Sequence, residues 1–419
     1  MKSFSTIFTI LIALFIGNNC GNGSTGPDNN LLVLPRQLAK SEIELIHSGT
    51  AFGLNIFRTM VSQQADSNII VSPLSVSMAL GMTYSGAAGE TQSAMHEVLA
   101  YQQADEDAIN QSYLSILELL TGLDPLVSFQ IANSIWYRED FAVLDSFIQT
   151  NQDYFHAVVQ ALDFSQDSAV DAINAWVCEQ THGKIEDIIE GPIHPLTVMF
   201  LINAIYFQSS WTYEFDQTAT RKEQFHPVSE ESLTCQMMHI TSEFDYFENA
   251  DFQAVDLPYG DGYYSMTILL PKSGIDLDDI IGSMHVTEWE SWTASFEKDT
   301  VALSLPKFKL RYFRKLNDAL IQMGMGVAFG GSADFSCLCP GGGIFIQEVR
   351  HKTFIQVDEE GTEAAAATSV EIREKCNMNG DSGPIPMRVD HPFLFAIRER
   401  NSGTLLFIGK IYKPKWEDE

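Results

Sequence analysis

The run from Gly361 to Pro384, GTEAAAATSVEIREKCNMNGDSGP, holds the residues whose types come nearest to reactive chemistry. Within it, Gly380-Asp381-Ser382-Gly383 has the letters that surround the nucleophilic serine of a trypsin-like hydrolase. Such an enzyme also needs a histidine and an aspartate upstream, each held so that the imidazole can take the serine proton. No Ala-His-Cys context precedes Ser382, and the second glycine after the serine is missing. Polar residues and prolines flank the motif, so it reads as loop. GMGVAFGG (Gly324–Gly331) opens with G-x-G, but no strand precedes it and its spacing does not suit a dinucleotide turn. A helix end capped by glycine accounts for it. The ten histidines show no H-x-x-x-H or H-E-x-x-H spacing, and Cys337-x-Cys339 is too tight for a metal pair. Neither a metal nor a cofactor is expected. His351 lies in RHKTFIQVDEE, where a hydrogen-bonded core histidine is the expectation.

Composition removes further classes. The 419 residues include 55 acids and 25 bases, for a formal net charge of −30. Such a surface repels phosphate backbones and argues against nucleic acid or heparin-like polyanions as partners. With 45% hydrophobic residues, a chain of this length can bury a core without disulfide staples. Lys2 precedes an apolar run, Ile7–Gly17, that is too short to span a bilayer. Residues 1–20 are therefore expected to be an export signal. They resemble a bacterial lipoprotein leader in which Cys20 becomes a lipid anchor; plain secretion is the other reading, because Asn19 stands where a small residue is usual. Residues 21–35 read as a flexible linker, and the protein is expected outside the cytoplasm, in the cell envelope or beyond it. Cys178 falls among Ile173, Trp176 and Val177 on a helical pattern where a buried thiol is expected. The cysteine spacing gives no disulfide framework, and no essential bridge is expected.

The elements that must position these residues follow from periodicity. In SEIELIHSGTAFGLNIFRTMV, Ile43, Ile46, Leu54, Phe57 and Val61 share one side of a helix. Leu201–Trp211, Tyr263–Pro271 and Val301–Leu310 are β-rich runs, and Ser402–Tyr412 is expected to give two more strands. Helices dominate the first half and strands the second. One α+β domain, with helices covering a large sheet, is expected over residues 36–419.

Taken in order, these segments resemble a serpin from about residue 36 to the end. The matching stretches are NIIVSPLSVSMALGMTYSGAAGETQSAM (Asn68–Met95), ANSIWY (Ala132–Tyr137) and INAWVCEQTHGKI (Ile173–Ile185). FLINAIYFQSSW, VDLPYG, ILLP and LPKFKL continue the pattern, EVRHKTFIQVDEEGTEAAAATS (Glu348–Ser369) precedes the loop, and DHPFLFAIRERNSGTLLFIGKIYKP closes it. The resemblance implies three β-sheets, eight to nine helices and an exposed reactive-centre loop at about residues 360–390. It also implies that Asn68, Ser72, Ser75, Asn203 and His351 gather beneath the opening of the large sheet as its shutter. Buried hydroxyls, amides and an imidazole there would satisfy one another. Trp211, Lys307 and Glu359 match the breach, where the loop first enters, and a Lys307–Glu359 ion pair is expected.

Alternate side chains of a strand face opposite sides, so the loop residues themselves say whether they can become one. Thr362, Ala364, Ala366, Thr368, Val370 and Ile372 would share one face, all small or apolar. Glu363, Ala365, Ala367, Ser369, Glu371 and Arg373 would share the other, with the charges among them. No proline interrupts Gly361–Lys375, and Gly361 is expected to act as a pivot. The resemblance then implies an irreversible suicide substrate, not an enzyme. A trypsin-like serine protease would form a covalent acyl complex with the loop, and the hinge, from Glu359 through Gly361 to Ala367, would insert into the sheet. About fifteen residues at roughly 3.3 Å each would drag the protease on the order of 50 Å, drawing on a metastable fold. Family spacing from Gly361 puts the reactive bond at Lys375–Cys376. Counting back from His391-Pro392-Phe393 favours Met378 or its neighbours, and Arg373 is a second basic candidate. The protein would act as a monomer. A non-inhibitory serpin, serving as a binding or structural protein, is the alternative.

Overall fold

Helical periodicity in the first half of the chain and β-rich runs in the second sort into an α+β architecture. It is seen in a computed structural model that describes residues 33–102, 105–362 and 383–416. The first helix, α1 (Lys40–Gln63), buries Leu45, Phe52, Ile56, Phe57 and Met60. Ile43, expected on that face, is 54% exposed. The first turn instead directs Glu42 inward, where Arg36 pairs with it at 2.6 Å. Next come the short strand β1 (Ile69–Val71), then α2 (Pro73–Tyr84), α3 (Gly89–Val98) and α4 (Glu106–Thr121). All residues of α2 except Ala79 are buried, so PLSVSMALGMTY has no polar face to show.

Strands and helices then alternate as β2 (Val127–Arg138), α5 (Asp145–Phe155), β3 (Val158–Leu162), α6 (Asp167–Gln180) and β4 (Met199–Ser210). The rest is mostly sheet. β5 (Arg221–Phe225), β6 (Leu233–Glu248), β7 (Phe252–Tyr259) and β8 (Tyr264–Pro271) lead to α7 (Leu277–Ser283) and α8 (Val286–Ala294). β9 (Glu297–Pro306), β10 (Phe308–Lys315), the short α9 (Asn317–Leu320) and β11 (Arg350–Val357) follow. β12 (Gly361–Thr362), β13 (Ile385–Arg388), β14 (Phe393–Glu399) and β15 (Leu405–Ile411) complete the described elements.

Six strands make the main sheet, in the order β10-β11-β12-β4-β2-β3. The other nine form one hydrogen-bonded network, because the long β6 serves two layers. Its first part pairs with β5 and its last part with β7, while β9 runs beside both and carries β13 at its far edge. The small third sheet is thus continuous with the second. Phe207 packs edge-on against Tyr259 and Tyr264, tying the main sheet to the second one. On the opposite face of the main sheet, Ile173 and Val177 of α6, with Ile185 and Ile189 after it, cover Trp136 and Ile202. Cys178 on α6 is half-buried rather than buried, and the described cysteines are free.

Val301–Leu310 divides at Lys307 into β9 and β10, which belong to different sheets. Ser402–Tyr412, expected to hold two strands, holds the single strand β15. Gly409 does not interrupt it, because the missing Cβ makes room for the Phe395 ring, which a Cβ would meet at 2.4 Å. Gly324 adopts φ 118° in the turns that follow α9, in keeping with a helix end and not a phosphate-binding turn.

Candidate functional site

β11 leads into a tight turn in which Asp358 N–H donates to the Gly361 carbonyl at 3.0 Å and Glu360 N–H donates to Asp358 Oδ1 at 3.1 Å. The two residues of β12 are then wedged between neighbours. Gly361 and Thr362 pair with Ser210 and Ser209 of β4, and Thr362 also pairs with Val357 of β11. A Cβ on Gly361 would stand 2.1 Å from the Ser209 carbonyl oxygen. Close approach therefore requires glycine here, and its φ is not in the left-handed region in this conformation. Thr362 is 3% exposed, and its hydroxyl shares a hydrogen bond with Tyr259.

Trp211, Lys307 and Glu359 meet around this turn. Trp211 Nε1 donates to the Asp358 carbonyl at 2.9 Å, and its ring stacks on Tyr259 with centroids 4.4 Å apart. Lys307 Nζ lies 2.6 Å from Glu359 Oε2, while Thr220 Oγ1 donates to Oε1 at 2.8 Å. Burial pushes the Glu359 carboxyl up, but hydrogen bonds from Lys307 and Thr220 outweigh it and hold the carboxyl below its ordinary range. Tyr259 and Thr220 escaped the sequence reading. Both are brought in from distant strands and loops, and only the strand "VDLPYG" gave a local signal for Tyr259.

Beneath β12, no pairing between β4 and β11 is described. The gap between them is tight at first: a cavity of about 20 Å³ lies among Thr362, Phe207, Ile355 and, from the α6 side, Lys184. Lower down it opens to about 800 Å³. Ser75, Asn203 and His351 line this wider part, as do Leu196 and Ile344.

Ser72 caps α2, accepting from Ser75 N–H at 3.3 Å and donating its hydroxyl to the Leu406 carbonyl at 2.7 Å. Its backbone N–H donates to His351 Nε2 at 3.1 Å, so that nitrogen is an acceptor and the ring is neutral. Burial pushes the His351 imidazole down to about 4. Asn203 Nδ2 donates to Asn133 Oδ1 at 2.7 Å, but Asn203 Oδ1 is buried without a partner. Asn68 does not join this group. Its Oδ1 accepts from the N–H groups of Tyr412 and Lys413, and its Nδ2 donates to the Lys413 carbonyl, so the amide is committed to the segment after β15. The extended β1 separates it from Ser72.

Glu363, Ala364, Ala365, Ala366, Ala367, Arg373, Lys375, Cys376, Met378 and Ser382 lie outside the described residues, as does Cys20. On the far side of the loop, β13 pairs in parallel with β9. Among the described residues no cluster of His, Cys, Asp or Glu could hold a metal ion, and no helix is long and apolar enough to cross a membrane.

The main sheet thus carries a two-residue strand wedged at its mouth, with a gap between β4 and β11 beneath it. The pattern of the family Serpin (serine protease inhibitor) matches residues 47–414, and this chain belongs to that family. Its members are in general protease inhibitors rather than enzymes. An uncharacterized serpin-like protein of Thermococcus kodakarensis is 34% identical over 394 residues, covering 94% of this chain and 90% of that protein. Human thyroxine-binding globulin, solved in complex with thyroxine, is similar with a TM-score of 0.81 at 26% identity, covering 90% of this chain and 100% of that one. The thermophilic serpin tengpin, in its native state, reaches a TM-score of 0.80 at 31% identity, covering 90% and 95% of the two chains.

Proposed function

We propose that this protein is an exported, monomeric suicide-substrate inhibitor of trypsin-like serine endopeptidases. One observation carries the reading: β12 already stands between β4 and β11, and the gap continues in line beneath it. Thr362 faces Ser209 on one side and Val357 on the other. Continuing that antiparallel register residue by residue brings Thr368 opposite both Asn203 and His351. A hydroxyl at that level meets the Asn203 oxygen that is buried without a partner. Glu374, the first charge on the face of Thr362, comes opposite Thr197, beyond the end of β4 at Met199.

The same register brings Lys375 opposite Leu196 and Ile344, past the ends of β4 at Met199 and β11 at Arg350 and level with a turn on each side. On one side Thr197 N–H turns back to the His194 carbonyl at 2.8 Å; on the other, Gly342 and Gly343 take φ of 58° and 72°. Cleavage at Met378 would carry three further residues past these turns, so the turns favour Lys375–Cys376 as the reactive bond.

In the reaction, the serine oxygen of the target adds to the Lys375 carbonyl. The amide to Cys376 breaks, its nitrogen leaving with a proton from the histidine of the target, and Lys375 stays bound as an ester. Zipping of residues 363–375 into the gap then carries the acyl-enzyme about 43 Å, before water releases it.

Incubation with trypsin and denaturing electrophoresis is expected to give a band at the sum of the two masses. The released fragment should begin at Cys376; a fragment beginning at Glu374 would move the bond to Arg373. Clean loop cleavage without the heavier band would overturn inhibition. It would favour a binding role instead, which the likeness to thyroxine-binding globulin supports.

A further inference from the structure

Past the segment held by Asn68, the chain turns along the outer edge of the main sheet, of which β10 is the edge strand. Lys309 N–H donates to the Lys415 carbonyl at 2.8 Å, and Lys309 forms a parallel bridge with Trp416. This pins the Trp416 ring beneath Lys307, whose Nζ lies 4.9 Å from the ring centroid. Lys307 Nζ is the ammonium that also reaches Glu359 at 2.6 Å. Trp416 lies outside residues 47–414, the span shared with the family.

The geometry leaves Lys307 little choice. Its backbone is fixed at the junction of β9 and β10, where its N–H donates to the Gln236 carbonyl at 2.8 Å. Only the long stem can swing. An aromatic face attracts an ammonium without consuming a hydrogen-bond donor, so the ring on one side and the carboxylate on the other hold Nζ together. Without the ring, water takes that place, and an ion pair opened to water is weakened by the higher dielectric.

We propose that Trp416 is a positioning residue for the hinge. It steadies Lys307 against Glu359, and through that pair it keeps the Asp358–Gly361 turn in the shape from which the loop zips downward. The kinetic consequence rests on the inhibitory reading above; the coupling between Trp416 and Lys307 does not.

The test is a cycle of Trp416→Ala, Lys307→Met and the double variant in the full chain, with Trp416→Phe as the conservative control. Trp416→Ala is expected to slow insertion roughly two- to fivefold, seen as a larger share of inhibitor cleaved without complex formation. Trp416→Phe should recover most of the loss, and in the Lys307→Met background Trp416→Ala should add nothing. An unchanged partition, or an equal effect in both backgrounds, overturns the proposal. If the unaltered chain forms no complex with trypsin, the inhibitory reading falls, and the unfolding midpoints of the same four proteins decide the matter. Non-additive midpoints then support the contact, and additive midpoints overturn it.

Discussion

The two ends of the gap in the main sheet are built in opposite ways. At the mouth, Thr362, Tyr259, Trp211, Lys307, Glu359 and Thr220 pair with one another, and the space below them is about 20 Å³. Lower down the space is about 800 Å³, and Asn203 leaves an oxygen buried without a partner. Buried polar atoms in folded proteins are nearly all satisfied, so an orphan beside an open volume marks incomplete packing. The mouth resembles a finished sheet and the lower part an unfinished one. A strand entering from the mouth therefore moves from a region with little left to gain toward one where both packing and hydrogen bonds improve.

Three changes would break or sharpen that contrast. The largest effect is expected from Thr362→Arg, because the side chain is 3% exposed and an unpaired buried guanidinium costs several kcal/mol. The variant should be cleaved by trypsin with no covalent band on a denaturing gel. A surviving band would show that Thr362 does not have to face inward during insertion.

A smaller effect is expected from acid at the lower end. The folded state holds His351 down to about 4, against an ordinary value of 6.5. Between those values the unfolded chain takes up a proton that the folded one refuses. Stability is thus fully present above pH 6.5 and falls as the pH drops toward 4, by about 3 kcal/mol at most. Unfolding midpoints at a fixed scan rate across this window would record the fall, and His351→Gln should flatten it. A profile that stays unchanged in that variant would assign the acid sensitivity to other groups.

The smallest is Asn203→Ala. It removes one hydrogen bond, to Asn133, together with an oxygen that had no partner, so the uncleaved protein should lose only about 1 kcal/mol. The cleaved, inserted form should lose more. Equal losses in the two forms would mean that Thr368 never reaches Asn203.

Much of this was legible in the amino-acid sequence, for identifiable reasons. The α+β class followed from periodicity, and Trp211, Lys307 and Glu359 lie in long runs with a family pattern. Their convergence does not depend on the unusual loop. The resemblance groups Asn68 with Ser72, whereas the three extended residues of β1 carry its amide to the segment after β15. Ile43 satisfied the helical period but lost its inward place to Glu42, since an ion pair with Arg36 from outside the helix is invisible to a periodicity count. Gly361 carries a second reason to be glycine that no local rule reveals: the Ser209 carbonyl oxygen on another strand leaves no room for a Cβ. Trp416 had no signal at all, because its partner lies more than a hundred residues away.

The facing edges of β4 and β11 have a consequence for the behaviour of many copies together. Sheet edges invite foreign strands, and most proteins guard the edges at the rim of a sheet with charge, proline or brevity. Here the rim strand β10 is bridged by the chain's own tail only near its start, at Lys309, while the facing edges of β4 and β11 lie inside the sheet. On the proposed reading, an extended segment with small residues at alternate positions would fit them, including the same segment of a neighbouring molecule. Mutual repulsion between molecules of net charge −30 works against that encounter, and its protection weakens as salt shortens the reach of the field.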